Sequence, residues 1–202
     1  MVETNELTIT GSGPDDETNV GTGLAITHYL KLNGTLDLVG ESQLVQKRYT
    51  PEQFSESTLD ASSSGFLERD QQGTSNLYNY NYWGSPVNPV NPTANNTDYS
   101  IGSILRDGTN SNNPLNLLWT TTVDANPNTS PITLSSRWLY AYENYPIGDY
   151  ASWRRIGQTE TIAVGLGYIM KGSGASSTEQ NYVFVGKPNN CLLYTSPSPR
   201  DA

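Results

Sequence analysis

Histidine and cysteine are almost absent from this sequence, which holds one of each, His28 and Cys191. A zinc site draws three or four ligands from His, Cys and carboxylates, so the usual pattern has nothing to anchor it. A Ser-His-Asp centre would have to use His28, and no G-x-S-x-G turn accompanies it. Between Ile26 and Leu30, His28 reads as a structural histidine. Long apolar runs are missing too: no stretch approaches the roughly 20 residues of a membrane span. Positive clusters are few. Lys47-Arg48 and Arg154-Arg155 are the densest in a chain of net charge −9, and such a surface repels phosphate backbones, which argues against a nucleic-acid partner. Helical periodicity fails everywhere, because Gly, Pro, Asn, Ser and Thr interrupt each apolar repeat. The opening MVETNELTIT lacks the basic and apolar regions of a signal peptide. That reads as a cytosolic start only if Met1 is the true start.

Aromatic residues, by contrast, are plentiful: 13 Tyr and 4 Trp. Disordered chains are poor in them. Leu, Ile, Val and Phe make up only about a fifth of the chain, so the expected core is aromatic-rich. Leu24, Ile26, Leu30, Leu32, Leu36, Leu38 and Leu44 all fall on even positions, which places them on one face of extended chain. Asn33-Gly34 breaks this run. The dipeptide fits a two-residue hairpin and equally the corner of a β-solenoid, where short strands stack. Further strands are expected in NLYNYNYWGSPV, NLLWTTTV, SSRWLYAYENY, TIAVGLGYIM and NYVFVGK. Single helical turns fit residues 50–57, with Pro51 at the first helical position, and residues 98–108. Pro86, Pro89 and Pro92 form an extended connector. The loops at 88–98 and 107–114 suit either mobility or surface contact. The fold class is all-β: an aromatic-rich antiparallel β-sandwich, preceded by short stacked strands of solenoid or hairpin type. The expected divisions are 1–46 for the short strands, 47–63 for a linker, 64–190 for a truncated sandwich and 191–202 for a non-native tail.

Candidate chemistry is sparse. Pro14 to Thr18, PDDET, offers oxygen ligands for calcium but lacks the alternating D-x-D-x-D-G order; a solvated acidic loop is the simpler reading. Glu68 and Asp70 share a strand face, as a glycosidase pair would, but a glycan-cleaving site needs its carboxylates facing across a cleft. No catalytic residue, metal or cofactor is assigned. The distinctive feature is LYNYNYW. On a strand, Tyr78, Tyr80 and Tyr82 share one face, and Asn79, Asn81 and Trp83 the other. Such a row serves either as a sugar-stacking platform or as an aromatic ladder inside a sandwich. In RWLYAYENY, Trp138, Tyr140 and Tyr142 alternate in the same way.

From Leu36 onward, LDLVGESQLVQ, LERDQQGTSNLYNYNYWGSPV, YSIGSILRDGTN and GYIMKGSG…NYVFVGKPNN resemble a recurring region of large secreted proteins of Bacteroidota, chiefly flavobacterial. That region usually reads LYNYNYWSSPV, where this chain has Gly84. The resemblance implies a cell-surface adhesin or surface-layer component. It also implies a signal peptide and a type IX sorting domain outside this chain, and an extracellular or cell-surface location. It implies no catalytic residues. Cys191 to Asp201, CLLYTSPSPRD, matches without a break one translated frame of a transposase-type sequencing adapter, so the natural segment is expected to end at Asn190 and to be free of cysteine. A sandwich cut there would expose edges and apolar faces, with poor solubility expected. The function expected is a non-catalytic structural or adhesive segment. Its partners would be surface glycans or other surface proteins, without nucleic acid or membrane insertion. The alternative is a carbohydrate-binding module using Tyr78, Tyr80, Tyr82 and Trp83.

Overall fold

The structure is a computed structural model that describes residues 6–9, 21–27, 29–47, 58–90, 96–142 and 152–189. His28, the acidic loop at 14–18, the turn at 50–57, Pro92 and the tail at 191–202 lie outside the described residues.

The first strands stack in parallel. Glu6–Ile9 (β1), Gly23–Ile26 (β2) and Tyr29–Leu30 (β3) belong to one coil. Thr35–Leu38 (β4), Gln43–Gln46 (β5) and Thr58–Leu59 (β6) belong to the next. Strand β4 pairs in parallel with β1, β5 with β2 and β6 with β3. This is a three-sided solenoid, and the even-numbered leucines line its inside. Leu32, Leu36 and Leu38 are buried, and Leu24, Leu30 and Leu44 pack against the same core. Asn33-Gly34 is a solenoid corner rather than a hairpin turn, since β3 pairs with β6 and β4 with β1 and β7. The corners stack as closely as the strands. A Cβ added at Gly65 would stand 2.1 Å from the Gly34 carbonyl oxygen one coil earlier. Ser63 is buried, and its hydroxyl accepts the Leu32 N–H at 3.0 Å. The stretch 47–63, read from sequence as a linker, carries β6 and so contributes to the third stack.

Phe66–Thr74 (β7) belongs to both halves of the molecule. Its first residues, Phe66 to Arg69, pair in parallel with β4. From Leu67 onward it pairs antiparallel with Glu179–Pro188 (β17). The solenoid sheet therefore continues into the antiparallel sheet, with no break at residue 64. The sheet order is β1-β4-β7-β17, then Leu105–Asp107 (β10) and Leu115–Asn116 (β11). Val87–Asn88 (β9) is added at the end of β17. A short helix, Ile101–Ile104 (α1), precedes β10 within the 98–108 stretch. It stays short because the backbone turns extended at Leu105. Leu118–Thr120 (β12) and Thr133–Ser135 (β13) form a separate parallel pair.

A second, antiparallel sheet contains Tyr80–Gly84 (β8), Tyr140–Tyr142 (β14), Trp153–Arg155 (β15) and Gly167–Lys171 (β16), in the order β15-β14-β16-β8. Its inner face meets the large sheet through aromatic rings. Trp83 on β8 lies 5.0 Å from Tyr182 and 5.5 Å from Phe184, both on β17. Tyr168 on β16 lies 6.4 Å from Trp83. These rings and the solenoid leucines form one continuous cluster. The fold is all-β, with an aromatic core between the four-stranded sheet and the antiparallel part of the large, mixed sheet.

Candidate functional site

The outer face of the four-stranded sheet is where exposed aromatics gather. Period-2 alternation splits each strand between inside and outside. Cross-strand register carries that split along the sheet. Ala141, Tyr168 and Trp83 stand side by side, as do Tyr140, Ile169 and Tyr82. Ala141 is small and buried, which leaves room for Tyr168 in the interior and for Trp83, half-buried, against the same core. Tyr80, Tyr82, Tyr140, Tyr142, Trp153 and Lys171 are left facing outward.

Several interactions fix these positions. The Asn81 side chain bonds twice to Thr74: it accepts the N–H at 2.8 Å and donates to the carbonyl at 3.1 Å. That pins β8 to the end of β7, with Tyr80 and Tyr82 on the far side. Ahead of β14, Ser135 accepts the Arg137 N–H at 3.3 Å, starting a 3-10 turn over Ser136–Trp138. The Trp138 indole N–H donates to the Val123 carbonyl at 2.7 Å, which anchors the turn. Edge-to-face contacts then join rings across the sheet: Tyr142 to Trp153 on the adjacent strand at 5.2 Å, and, over the intervening strands, Tyr80 to Tyr140 at 6.2 Å and Tyr82 to Trp153 at 6.3 Å.

The rings remain open to solvent. Tyr82 is 72% exposed and Tyr142 is 41% exposed. Gly84 and Gly167 stand opposite each other in the outer row, so no side chains fill the space beside these rings. The result is a shallow groove of about 370 Å³ bordered by Tyr82, Tyr142, Trp153, Leu166 and Gly167. A second cleft, of about 470 Å³, opens between β7 and β8 and is lined by Arg69, Gln71, Gln72, Trp83, Pro86 and Phe184.

The four tyrosine-strand residues therefore separate. Tyr80 and Tyr82 lie on the open face, and Trp83 turns inward. Tyr78 is 83% exposed but precedes the strand instead of extending its row. Asn76 explains this, because its side-chain oxygen accepts the Tyr78 N–H at 2.8 Å and holds the chain in a turn. Trp153 was absent from the sequence-derived site. Its only local signal is its position directly before Arg154-Arg155. What brings it to Tyr82 is the pairing of β15 with β14 and of β14 with β16.

Among the described residues, the charged side chains on this face are cations. Lys171 Nζ lies 3.6 Å from the Trp138 ring centroid and 5.5 Å from that of Tyr80. The Arg137 guanidinium lies 5.9 Å from the Trp138 ring. Arg155 is exposed and stands beside Tyr140 in register. Its neighbour Arg154 instead pairs with Glu160, which holds that carboxyl below its ordinary value.

The carboxylates considered for glycoside chemistry sit elsewhere, on β7. Asp70 is only 6% exposed, and accepts the Gly40 N–H at 3.4 Å and the Asn181 amide at 3.5 Å. Burial raises its pKa, while Gly40, Asn181 and Arg69 oppose the shift. An acid whose folded pKa exceeds its unfolded one binds more protons when folded. Its contribution favours the fold at low pH, and that advantage is lost as pH rises from the unfolded toward the folded value. Asp70→Asn is therefore expected to flatten this part of the pH dependence from about pH 4 upward, read as urea midpoints across the acid-to-neutral range. An equal shift at every pH would contradict it.

Among the described residues, no group of three or more His, Cys, Asp and Glu is placed to hold a metal ion. No helix among them is long and apolar enough to cross a membrane. In comparisons with known proteins, no family model, curated protein or solved structure matches the chain.

Proposed function

We propose that the chain is a non-catalytic segment of an extracellular bacterial surface protein, with an adhesive or structural role, and that its contacts run through the outer face of the β15-β14-β16-β8 sheet. The observation that carries this reading is the row of rings, Tyr82 and Tyr142 exposed with Trp153 half-buried beside them, on a sheet whose other face is already packed. Large apolar rings grouped in solvent mark a surface that meets a partner. The extracellular placement rests on the sequence resemblance. A second reading, a carbohydrate-binding module, is favoured by Tyr80 and Tyr82 sharing that face, while Trp83 packs chiefly against Tyr182 and Phe184.

The test uses beads coated with the full chain or with a Tyr82→Ala/Trp153→Ala variant, applied to immobilised cellulose, xylan and mucin. Wild-type beads are expected to be retained on at least one surface. The variant is expected to lose about tenfold or more of that retention, with an unchanged far-ultraviolet circular dichroism spectrum. Equal retention of both would move the contact away from this face and overturn the reading.

A further inference from the structure

We propose that the aromatic face takes a polyuronate, a linear polysaccharide whose sugars carry carboxylates. The proposal rests on reading this face as the contact surface and adds its ligand chemistry. Two features of the face lead there. The first is flatness: β-strands lie about 4.8 Å apart with side chains perpendicular to the sheet, so Tyr80, Tyr82, Tyr142 and Trp153 offer ring surfaces along an extended track rather than in a closed pocket. A linear polymer fits such a track better than a small molecule, which needs enclosure.

The second feature is charge. The chain is strongly acidic, at −9. Yet the outward positions of β8, β14, β15 and β16 carry no carboxylate, and they include Lys171 and Arg155. Arg137 adds a third cation at the end of the face. None of the three forms an ion pair with a described residue. Arg154 shows the contrast: it is next in sequence, points to the other face and is paired with Glu160. The Lys171 ammonium is held over Trp138 and Tyr80, so little side-chain freedom remains to be lost on binding. Arg155 presents a planar fork suited to a carboxylate. A neutral glycan would use the rings and leave these cations idle; a polyuronate uses both. The remaining acidity of the chain acts at longer range and is screened beyond about 8 Å at physiological salt.

The test is affinity electrophoresis of the full chain in gels containing polygalacturonate, fully methyl-esterified pectin or inorganic polyphosphate. Esterification keeps the sugar backbone and removes the charge. Retardation is expected in polygalacturonate, with affinity for the ester weaker by about fivefold or more. Lys171→Ala and Arg155→Ala are each expected to weaken polygalacturonate binding by about two- to fivefold without altering thermal stability. Tyr82→Ala is expected to weaken binding to both pectins. Equal retardation in polygalacturonate and its ester would overturn the charged-ligand inference and leave the contact face standing. Equal retardation in polyphosphate would reduce the effect to bare charge attraction and overturn it as well. Absence of retardation in polygalacturonate would also overturn it, while the bead assay decides the fate of the contact face separately.

Discussion

Trp83→Ala is expected to cost about 3–5 kcal/mol of folding stability, whereas Tyr82→Ala, one residue away, is expected to cost about 1 kcal/mol or less. The difference follows from which way each ring points. Trp83 is half-buried, turned toward the large sheet, and touches Tyr168, Tyr182 and Phe184. The strand beneath it is shaped to receive it: a Cβ added at Gly73 would lie 2.7 Å from an indole carbon. Its neighbours Tyr168 and Tyr182 are fully buried and cannot collapse into the space without strand movement. Removing the indole therefore leaves a cavity as well as losing apolar burial. Tyr82 has Ile169 and Trp153 as neighbours and water on its remaining side. Urea denaturation of both variants measures the contrast, and equal losses would mean that the strand is not split between core and surface as described.

Gly186→Ala is the second large effect, expected at about 3 kcal/mol. Gly186 lies in β17 opposite Leu67 of β7, at the point where β9 joins. A Cβ there would stand 1.9 Å from the Asn88 carbonyl oxygen. That oxygen is backbone in a paired strand, so relief requires separating β9 from β17. The matched control is Gly84→Ala on the outer face, where nothing lies within 4 Å of the added carbon. Its effect is expected within about 0.5 kcal/mol. Thermal melts of the two variants compare a crowded glycine with an open one in the same fold, and a large loss at Gly84 would contradict the placement of that face in solvent.

Much of the solenoid was legible in the chain. The even-numbered leucines define an inner face because extended chain alternates, whatever it pairs with. Asn33-Gly34 marked a corner, but hairpin and solenoid place the same demand on a tight turn. Only pairing distinguishes them: β4 joins β1 and β7, far apart in sequence, instead of its neighbour β3. The strand β6 escaped notice because two residues, Thr58 and Leu59, carry no period. In the second half, alternation correctly separated Tyr80 and Tyr82 from Asn81 and Trp83. It could not say which face would be covered. That depended on β17, about a hundred residues later, supplying Tyr182 and Phe184 to one side. Trp153 illustrates the same limit. Its three-residue strand gives no local signal, and its place beside Tyr82 is set by register across β14 and β16.

The most direct measurement is hydroxyl-radical footprinting of the full chain with and without polygalacturonate. The account predicts protection of Tyr82, Tyr142 and Trp153, with Tyr29 and Tyr78, both exposed but off this face, oxidised as before. Protection at Tyr29 or Tyr78 alone, or no protection of Tyr82, Tyr142 and Trp153, would contradict the assignment of this face as the surface that takes a polyuronate.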